Sequence, residues 1–420
     1  MQLNKSNHSF DFKKIIFAVE VSDCCISAHL NFCMTFLLIT IFLLVPYIVL
    51  ILFFRKSWLE INEFIPARKF NENELPFVSI IIAARNEEKN IGACIQSIID
   101  QSYPPNKFEI LVTDDHSTDG TVSIIQSFKK ENIHVFHLAD YLENRVLNSY
   151  KKKSIETALR FAKGEIIVTT DADCAAPKKW VETLVDFYKE KNAAFVALLV
   201  TFRNPLLNDS FLKKFFKIFQ SLDFMTLQGT TGASVHKKFL NMCNGANLAY
   251  EKKAFYDVNG FDGIDRIASG DDMLLMHKIQ QKYPDRIFFL KSKDIIVETK
   301  PAQTIKEFMN QRIRWASKTN KYTDKKIIAV LMLVYLLNAW IFILGISSFF
   351  FAKAFFLFLI SIVIKIVVEL FFLFPVAGFF DKKKLLWWFI PAQPFHILYT
   401  LIAGWLGIFG SYQWKGRKVK

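Results

Sequence analysis

Long stretches with no polar face limit this chain more than any motif in it. From Cys33 to Phe54 there are 22 residues without a charge, and Ile327–Phe351 is equally free of them. About 20 such residues suffice to cross the hydrocarbon core of a bilayer as a helix. Ala354–Phe380 is a further span, interrupted only by Lys365 and Glu369, whose i,i+4 spacing lets them pair inside a helical bundle. Arg55 and Lys56 follow the first run directly, which predicts that the next segment lies in the cytoplasm. A secretory signal peptide is the rival reading of that run, but it would have a shorter apolar core and a small-residue cleavage site, and neither is evident. The last apolar stretch, Leu385–Gly410, is broken by Pro391 and Pro394. As a full span it puts the basic end Lys415–Lys420 outside; a re-entrant hairpin at the prolines keeps that end cytoplasmic and is preferred here.

Composition agrees with a membrane class. The chain has 420 residues, 44 of them Phe, and a mean hydropathy of +0.23. Charged residues still make up 22%, so they are segregated from the apolar runs. The net charge of +14 is explained by basic flanks beside a membrane. No zinc-finger, helix-turn-helix or RNA-stacking signature accompanies it, so no nucleic-acid partner is expected. The six cysteines lack ligand spacing and are read as reduced thiols.

Between the apolar ends, a polar linker over 57–77 leads into alternating strands and helices, the pattern of a parallel sheet covered on both faces. Strands are predicted at Val78–Ala84, Phe108–Thr113, Ile133–Leu138 and Glu165–Thr170, and one more at Ala193–Val200. Helices are predicted at Glu87–Gln101, from Thr121, near Ser154–Ala162, at Lys178–Glu190 with Pro177 in its first turn, and at Met273–Gln281. Ser210–Leu227 places Phe211, Phe215, Phe219 and Leu222 on one stripe; a core helix and a helix on the membrane surface fit equally. Residues 303–323 form a second basic amphipathic stretch.

Ligands of an open parallel sheet bind outside the carboxyl ends of its strands. Three strands here end in polar clusters: Ala83-Ala84-Arg85-Asn86-Glu87, then Asp114-Asp115-His116-Ser117-Thr118-Asp119-Gly120, then Asp171-Ala172-Asp173. The two carboxylates of the last cluster stand one residue apart and can face one small object. Hard oxygens so placed suit Mg²⁺ or Mn²⁺; an Asp-rich turn capping the next helix is the plainer alternative. Converging acids repel unless a cation or a hydrogen-bonding ligand sits among them, and three such tips in sequence favour the ligand.

These clusters resemble the nucleotide-sugar half of family 2 glycosyltransferases with the GT-A fold, a Rossmann-like nucleotide-sugar-binding α/β domain. Gly270-Asp271-Asp272 resembles that family's catalytic-acid motif, with Gly-Asp-Asp for Thr-Glu-Asp as in its hyaluronan-type branch. Gln311-Arg312-Ile313-Arg314-Trp315 resembles the Q-x-x-R-W motif of its membrane-bound members, the cellulose, hyaluronan and poly-N-acetylglucosamine synthases. The resemblance covers roughly residues 75–320. It implies that Ala83 and Glu87 line the uridine pocket, that Asp115 hydrogen-bonds the base, and that Lys152 neutralises the diphosphate. Asp171 would lie nearer the sugar and ribose, and Asp173 with Asp171 would hold the metal. Asp272 would be the general base, with Asp271 the other member of the pair. Arg314 would clamp the diphosphate, Trp315 would stack on the acceptor, and Gln311 shares their helix face. Asn244-Gly245-Ala246-Asn247 fits an acceptor border or a plain turn.

The implied organisation is an N-terminal extension over 1–32, a transmembrane helix over 33–54, and a GT-A catalytic domain over 75–300. An amphipathic interface segment follows at 301–325, then a transmembrane region at 327–410. The expected activity is inverting transfer of a hexosyl or N-acetylhexosaminyl group from a UDP-sugar, with Mg²⁺ or Mn²⁺, to a glycan or lipid-linked acceptor. This would take place on the cytoplasmic face of a bacterial inner membrane. The alternatives are a non-processive transferase to a polyprenyl-phosphate carrier, or a nucleotide-sugar-binding membrane sensor without turnover.

Overall fold

A computed structural model describes residues 12–66, 74–142, 147–204, 209–267, 269–318, 324–409, 412–414 and 417–419, with side-chain surroundings from Met34 to Ile408. Helix α1 (Phe12–Glu60) runs unbroken through Pro46, and its part from Met34 is long and apolar enough to cross a membrane. It outlasts the predicted span because its last turns dock on protein. The Ser57 hydroxyl donates to the Ala233 carbonyl, and Trp58, 1% exposed, meets Phe289 and Phe379 edge-on.

The next elements are β1 (Val78–Ala84), α2 (Ile91–Ile99), β2 (Phe108–Asp114), α3 (Thr121–Ser127), β3 (Ile133–His137), α4 (Tyr150–Phe161), β4 (Ile166–Asp171) and α5 (Trp180–Lys191). Strands β1, β2 and β4 are buried almost throughout, as apolar runs covered on two faces should be. The predicted stripe Ile91, Cys94, Ile95 and Ile98 is the buried face of α2. Two helix starts lie later than predicted. Glu87 precedes α2 in a turn that its carbonyl closes, and Pro177 lies before α5, accepting from the Trp180 N–H.

The predicted strand at Ala193–Val200 divides into β5 (Phe195–Ala197) and β6 (Val200–Phe202). Then come α6 (Phe211–His236), β7 (Asn247–Glu251), α7 (Lys252–Asp257), α8 (Met273–Lys282), β8 (Ile287–Phe289) and β9 (Val297–Thr299). The main sheet has the order β3-β2-β1-β4-β7-β5-β8. It is mixed rather than uniformly parallel, because β7 runs antiparallel to both β4 and β5. Register sets the functional edge: Ala83 stands beside Thr113 and Asp171, and Ala84 beside Asp114. A parallel pair, β6 with β9, extends the same side.

The chain ends with α9 (Ile305–Ala316), α10 (Lys325–Ser347), α11 (Ala352–Phe379), α12 (Phe389–Phe409) and an antiparallel pair, β10 (Tyr412–Trp414) with β11 (Arg417–Val419). Four helical stretches are long and apolar enough to span a membrane: Met34–Glu60, Lys325–Ser347, Ala352–Phe379 and Lys383–Ile408. Lys365 is fully buried and pairs with Glu369 at 2.8 Å, as their spacing predicts. Gln393 and the Tyr47 hydroxyl complete that cluster.

Helix α6 is neither a simple core helix nor a membrane-surface one. It lies between the main sheet and the apolar helices α1 and α11, and Gly229 gives it room: a Cβ there would come within 2.7 Å of Val376 on α11. The hairpin predicted at Pro391 and Pro394 does not form, since α12 is continuous through both. Pro391 falls in its first turn, where helical N–H groups have no intrahelical acceptor. Helix α12 lies along α6 and α9. Trp388 meets Phe211 and Phe215, Phe395 meets Phe215, and Tyr399 meets Phe219 and Phe308. At the other end Gly407 rests on Ala316, where a Cβ would be only 2.5 Å away. Strand β10 then packs on α9, so α12 begins beside α6 and ends beside α9. Of the basic end, residues 415, 416 and 420 lie outside the described residues.

Candidate active site

The carboxyl edge of the sheet opens into a cavity of about 220 Å³. Strand tips supply one wall: Ala83, Arg85 and Glu87 after β1, Asp115 after β2, and Asp171 and Asp173 at and after β4. Helices supply the opposite wall: Asp271 and Asp272 before α8, and Gln311, Arg314 and Trp315 on α9. Ten of the eleven residues singled out from sequence therefore share one cavity. The exception is Lys152.

Lys152 is 2% exposed and turned away, with its ammonium donating to the carbonyls of Ile264, Ile267 and Ser269 at 2.6–3.0 Å. Burial pulls its pKa down to about 8. Lys151 takes the place given to it, with Nζ 2.7 Å from Asp171 Oδ1 and 3.1 Å from Asp271 Oδ2. Consecutive helical residues point about 100° apart, so only one of the three lysines can enter the cavity. Burial lowers the pKa of Lys151, but Asp171 and Asp271 more than reverse this, and the net shift is upward.

Asp272 is held from three sides. Its Oδ1 caps α8 by accepting from the Met273 N–H at 2.7 Å, and lies 3.4 Å from Lys318 Nζ. Its Oδ2 accepts from the Gly245 N–H at 3.2 Å. A Cβ at Gly245 would come within 3.1 Å of Asp271 Oδ2 and 3.3 Å of Lys151 Nζ, so a larger residue would press on both. Burial would raise the Asp271 carboxyl, but the Lys151 and Lys318 ammonium groups outweigh it and hold the group at about 2.

The β1 and β2 tips are stitched together. The Asn86 N–H donates to Ser117, the Thr118 N–H to Asn86 Oδ1, and the Glu87 N–H to Thr121 Oγ1. Asn86 (φ 52°) and His116 (φ 57°) adopt the left-handed conformation these tight tips require. Asp115 is flanked by Arg85, whose Nη1 is 3.6 Å from its carboxylate, and by His116 Nδ1 at 2.9 Å.

Asp173 accepts from Thr299 Oγ1 at 3.1 Å. Among the described residues no three His, Cys, Asp or Glu side chains gather into a metal cage. Asp171 and Asp173 lining one cavity nevertheless fit Mg²⁺ or Mn²⁺, which takes one or two carboxylates and completes its shell from phosphates and water. Six carboxylates and five cationic groups line the cavity. An incoming dianion can therefore be accommodated by exchange of partners already present. Sequence reasoning missed Lys151, Lys318, Phe202 and Phe224. Lys318 stands one helical turn after Trp315, a spacing that could have found it; Phe202 and Phe224 come from short or distant elements and carried no such signal.

A model of the family described as Glycosyl transferase family 2 matches residues 79–258. Glycosyltransferase AglE of Haloferax volcanii is 32% identical over 133 residues, which are 31% of this chain and 41% of that protein. Probable glycosyltransferase YdaM of Bacillus subtilis is 27% identical over 278 residues, 65% of this chain and 62% of its own. Both matches thus span less than two thirds of the relative's length. Among solved structures, mannosyltransferase PcManGT from Pyrobaculum calidifontis, in complex with GDP-Man and Mn²⁺, aligns with a TM-score of 0.53 at 19% identity. That alignment covers 88% of this chain and 97% of the other, and the likeness is one of fold.

Proposed function

We propose, from the match of residues 79–258 to the glycosyl transferase family 2 model, that the chain transfers a sugar, with inversion, from a nucleoside diphosphate sugar to a membrane-held acceptor. One observation carries the reading: Asp115, Asp173, Asp272 and Arg314, from four separate elements, line a single cavity. In this reading Ala83, Glu87 and Asp115 receive the base, the Asp115 carboxylate accepting from a ring N–H of uracil. Lys151 and Arg314 take the diphosphate, and Asp171 lies nearer the ribose and sugar.

A divalent cation held by Asp173 and Asp171 would offset charge on the departing diphosphate. The acceptor hydroxyl attacks the anomeric carbon, its oxygen–carbon bond forms as the bond to phosphate breaks, and the hydroxyl proton passes to a carboxylate. Asp271 is tied to the Lys151 ammonium at 3.1 Å, and the role of base is assigned to Asp272. Trp315, with Phe202 and Phe224, forms an aromatic wall on which the acceptor ring can stack. Gln311 Oε1 is buried with no hydrogen-bond partner among the described residues, so it is available to a sugar hydroxyl.

A lipid-linked acceptor is favoured over a soluble glycan, because α9 rests on α12. That helix and the turn before it expose Trp387, Ile390, Leu398 and Trp405. Membranes containing the protein, given a panel of UDP- and GDP-sugars, should release nucleoside diphosphate from one donor. EDTA should stop the release, and Mg²⁺ or Mn²⁺ should restore it. Donor binding with no release would support a sensor instead, and release indifferent to chelation would remove the role of Asp173.

A further inference from the structure

A buried carboxylate outside the cavity meets both the helix that carries Gln311, Arg314 and Trp315 and the helix beneath it. Asp223, in the middle of α6, is 8% exposed, and its Oδ2 lies 2.5 Å from Nη2 of Arg312, itself 4% exposed. Its Oδ1 accepts from the Tyr399 hydroxyl of α12 and lies 4.0 Å from His396 Nε2. We propose that Asp223 is a positioning residue, which seats α9 through Arg312 and ties that seat to α12 through Tyr399. The inference rests on the transferase reading above and adds a residue that touches neither donor nor acceptor.

Helix geometry explains why Arg312 is free for this task. Gln311, Arg314 and Trp315 share one face of α9, while Arg312 stands about 100° from Gln311 and turns toward α6 and α12. Its guanidinium lies 4.3 Å from the Trp315 ring centroid and 4.7 Å from that of Phe308. The ion pair therefore sets the plane against which Trp315 rests. One turn earlier on α6, Gln220 pins the approach to α9: Nε2 donates to the Ala302 carbonyl at 3.0 Å, and Oε1 accepts from the Ala302 N–H at 2.9 Å. The base pocket at the tips of β1 and β2 makes no use of any of these contacts.

A purely structural pair would fail differently from a positioning one. Loss of fold lowers nucleotide affinity and turnover together. A displaced α9 lowers turnover while the base pocket still binds. A misplacement of about 1 Å remote from the chemistry can cost about 100-fold in rate.

The full chain in lipid vesicles should be measured for UMP and GMP affinity, which reads the base pocket without the diphosphate that Arg314 takes, and for kcat with the donor found active. Asp223→Asn is expected to lower kcat by about 30- to 100-fold with nucleotide Kd unchanged within about threefold, and Asp223→Glu to recover most of the loss. Tyr399→Phe keeps the ring and the ion pair, folds more readily, and should lose about 3- to 10-fold in kcat at unchanged Kd. Wild-type kcat in both Asp223→Asn and Tyr399→Phe overturns the positioning role, and so do parallel losses of kcat and Kd. A wild-type chain that turns over no donor overturns the transferase reading instead.

Discussion

The two walls of the cavity are built by different physics. The strand-tip wall uses backbone register: once β1 pairs with β2 and β4, Ala83, Asp115 and Asp171 are neighbours regardless of side-chain packing. The helical wall has no such ruler. Its residues come from α6, α8 and α9, and only buried contacts such as Asp223 with Arg312 and Gly245 with Asp272 place them. Substitutions on the first wall should weaken donor binding, and those on the second, apart from the diphosphate-binding Arg314, should spare binding and damage turnover.

The largest expected effect tests that division at its centre. Asp272→Asn keeps the cap on α8 but removes the proton acceptor, and kcat should fall about 1,000-fold or more with donor Kd within about threefold. A persisting rate in steady-state assays would move the base to Asp271. Next is Lys151→Met, which strips a cation from both walls; kcat/KM should fall about 100-fold. It also removes the strongest of three ammonium groups that oppose the burial of Asp271, so that carboxyl should titrate higher.

A folded value of about 2, below the unfolded one of about 3.9, contributes stability above pH 4 that is lost as pH falls toward 2. In Lys151→Met, acid unfolding followed by circular dichroism should begin at higher pH. Lys152→Met should behave oppositely to its neighbour. It leaves three carbonyls without their donor and should cost about 1–3 kcal/mol in denaturant unfolding, while transfer per folded molecule stays within about threefold. Equal losses of activity at Lys151 and Lys152 would erase the distinction between them.

The smallest effect is on position alone. Because α12 returns to α9, a single cysteine placed after Lys420 in a cysteine-free variant should be labelled from the same membrane side as one in the catalytic domain. Labelling from opposite sides would make α12 a crossing helix.

Much of this was legible in the sequence for physical reasons. Strand tips are readable because polar clusters after apolar β-branched runs can only be edges, and the two Asp-rich tips proved to flank that of β1 on either side. The Lys365–Glu369 pair was readable because an isolated charge in an apolar helix needs a partner one turn away. Strand β7 escaped because it is short and flanked by a turn, and its antiparallel direction depends on the chain crossing the sheet rather than on local pattern. Lys151 and Lys152 were confused because a run of like residues carries no phase. The course of α12 was missed because prolines near a helix start break nothing, and Gly407 could not be seen as the point where α9 comes close.

The most direct measurement is a structure of the protein with its donor and a divalent cation bound. The account predicts density for the nucleotide between the tips of β1 and β2, the cation against Asp173, and the diphosphate between Lys151 and Arg314. A donor bound anywhere outside the cavity lined by Asp115, Asp173, Asp272 and Arg314 would contradict it.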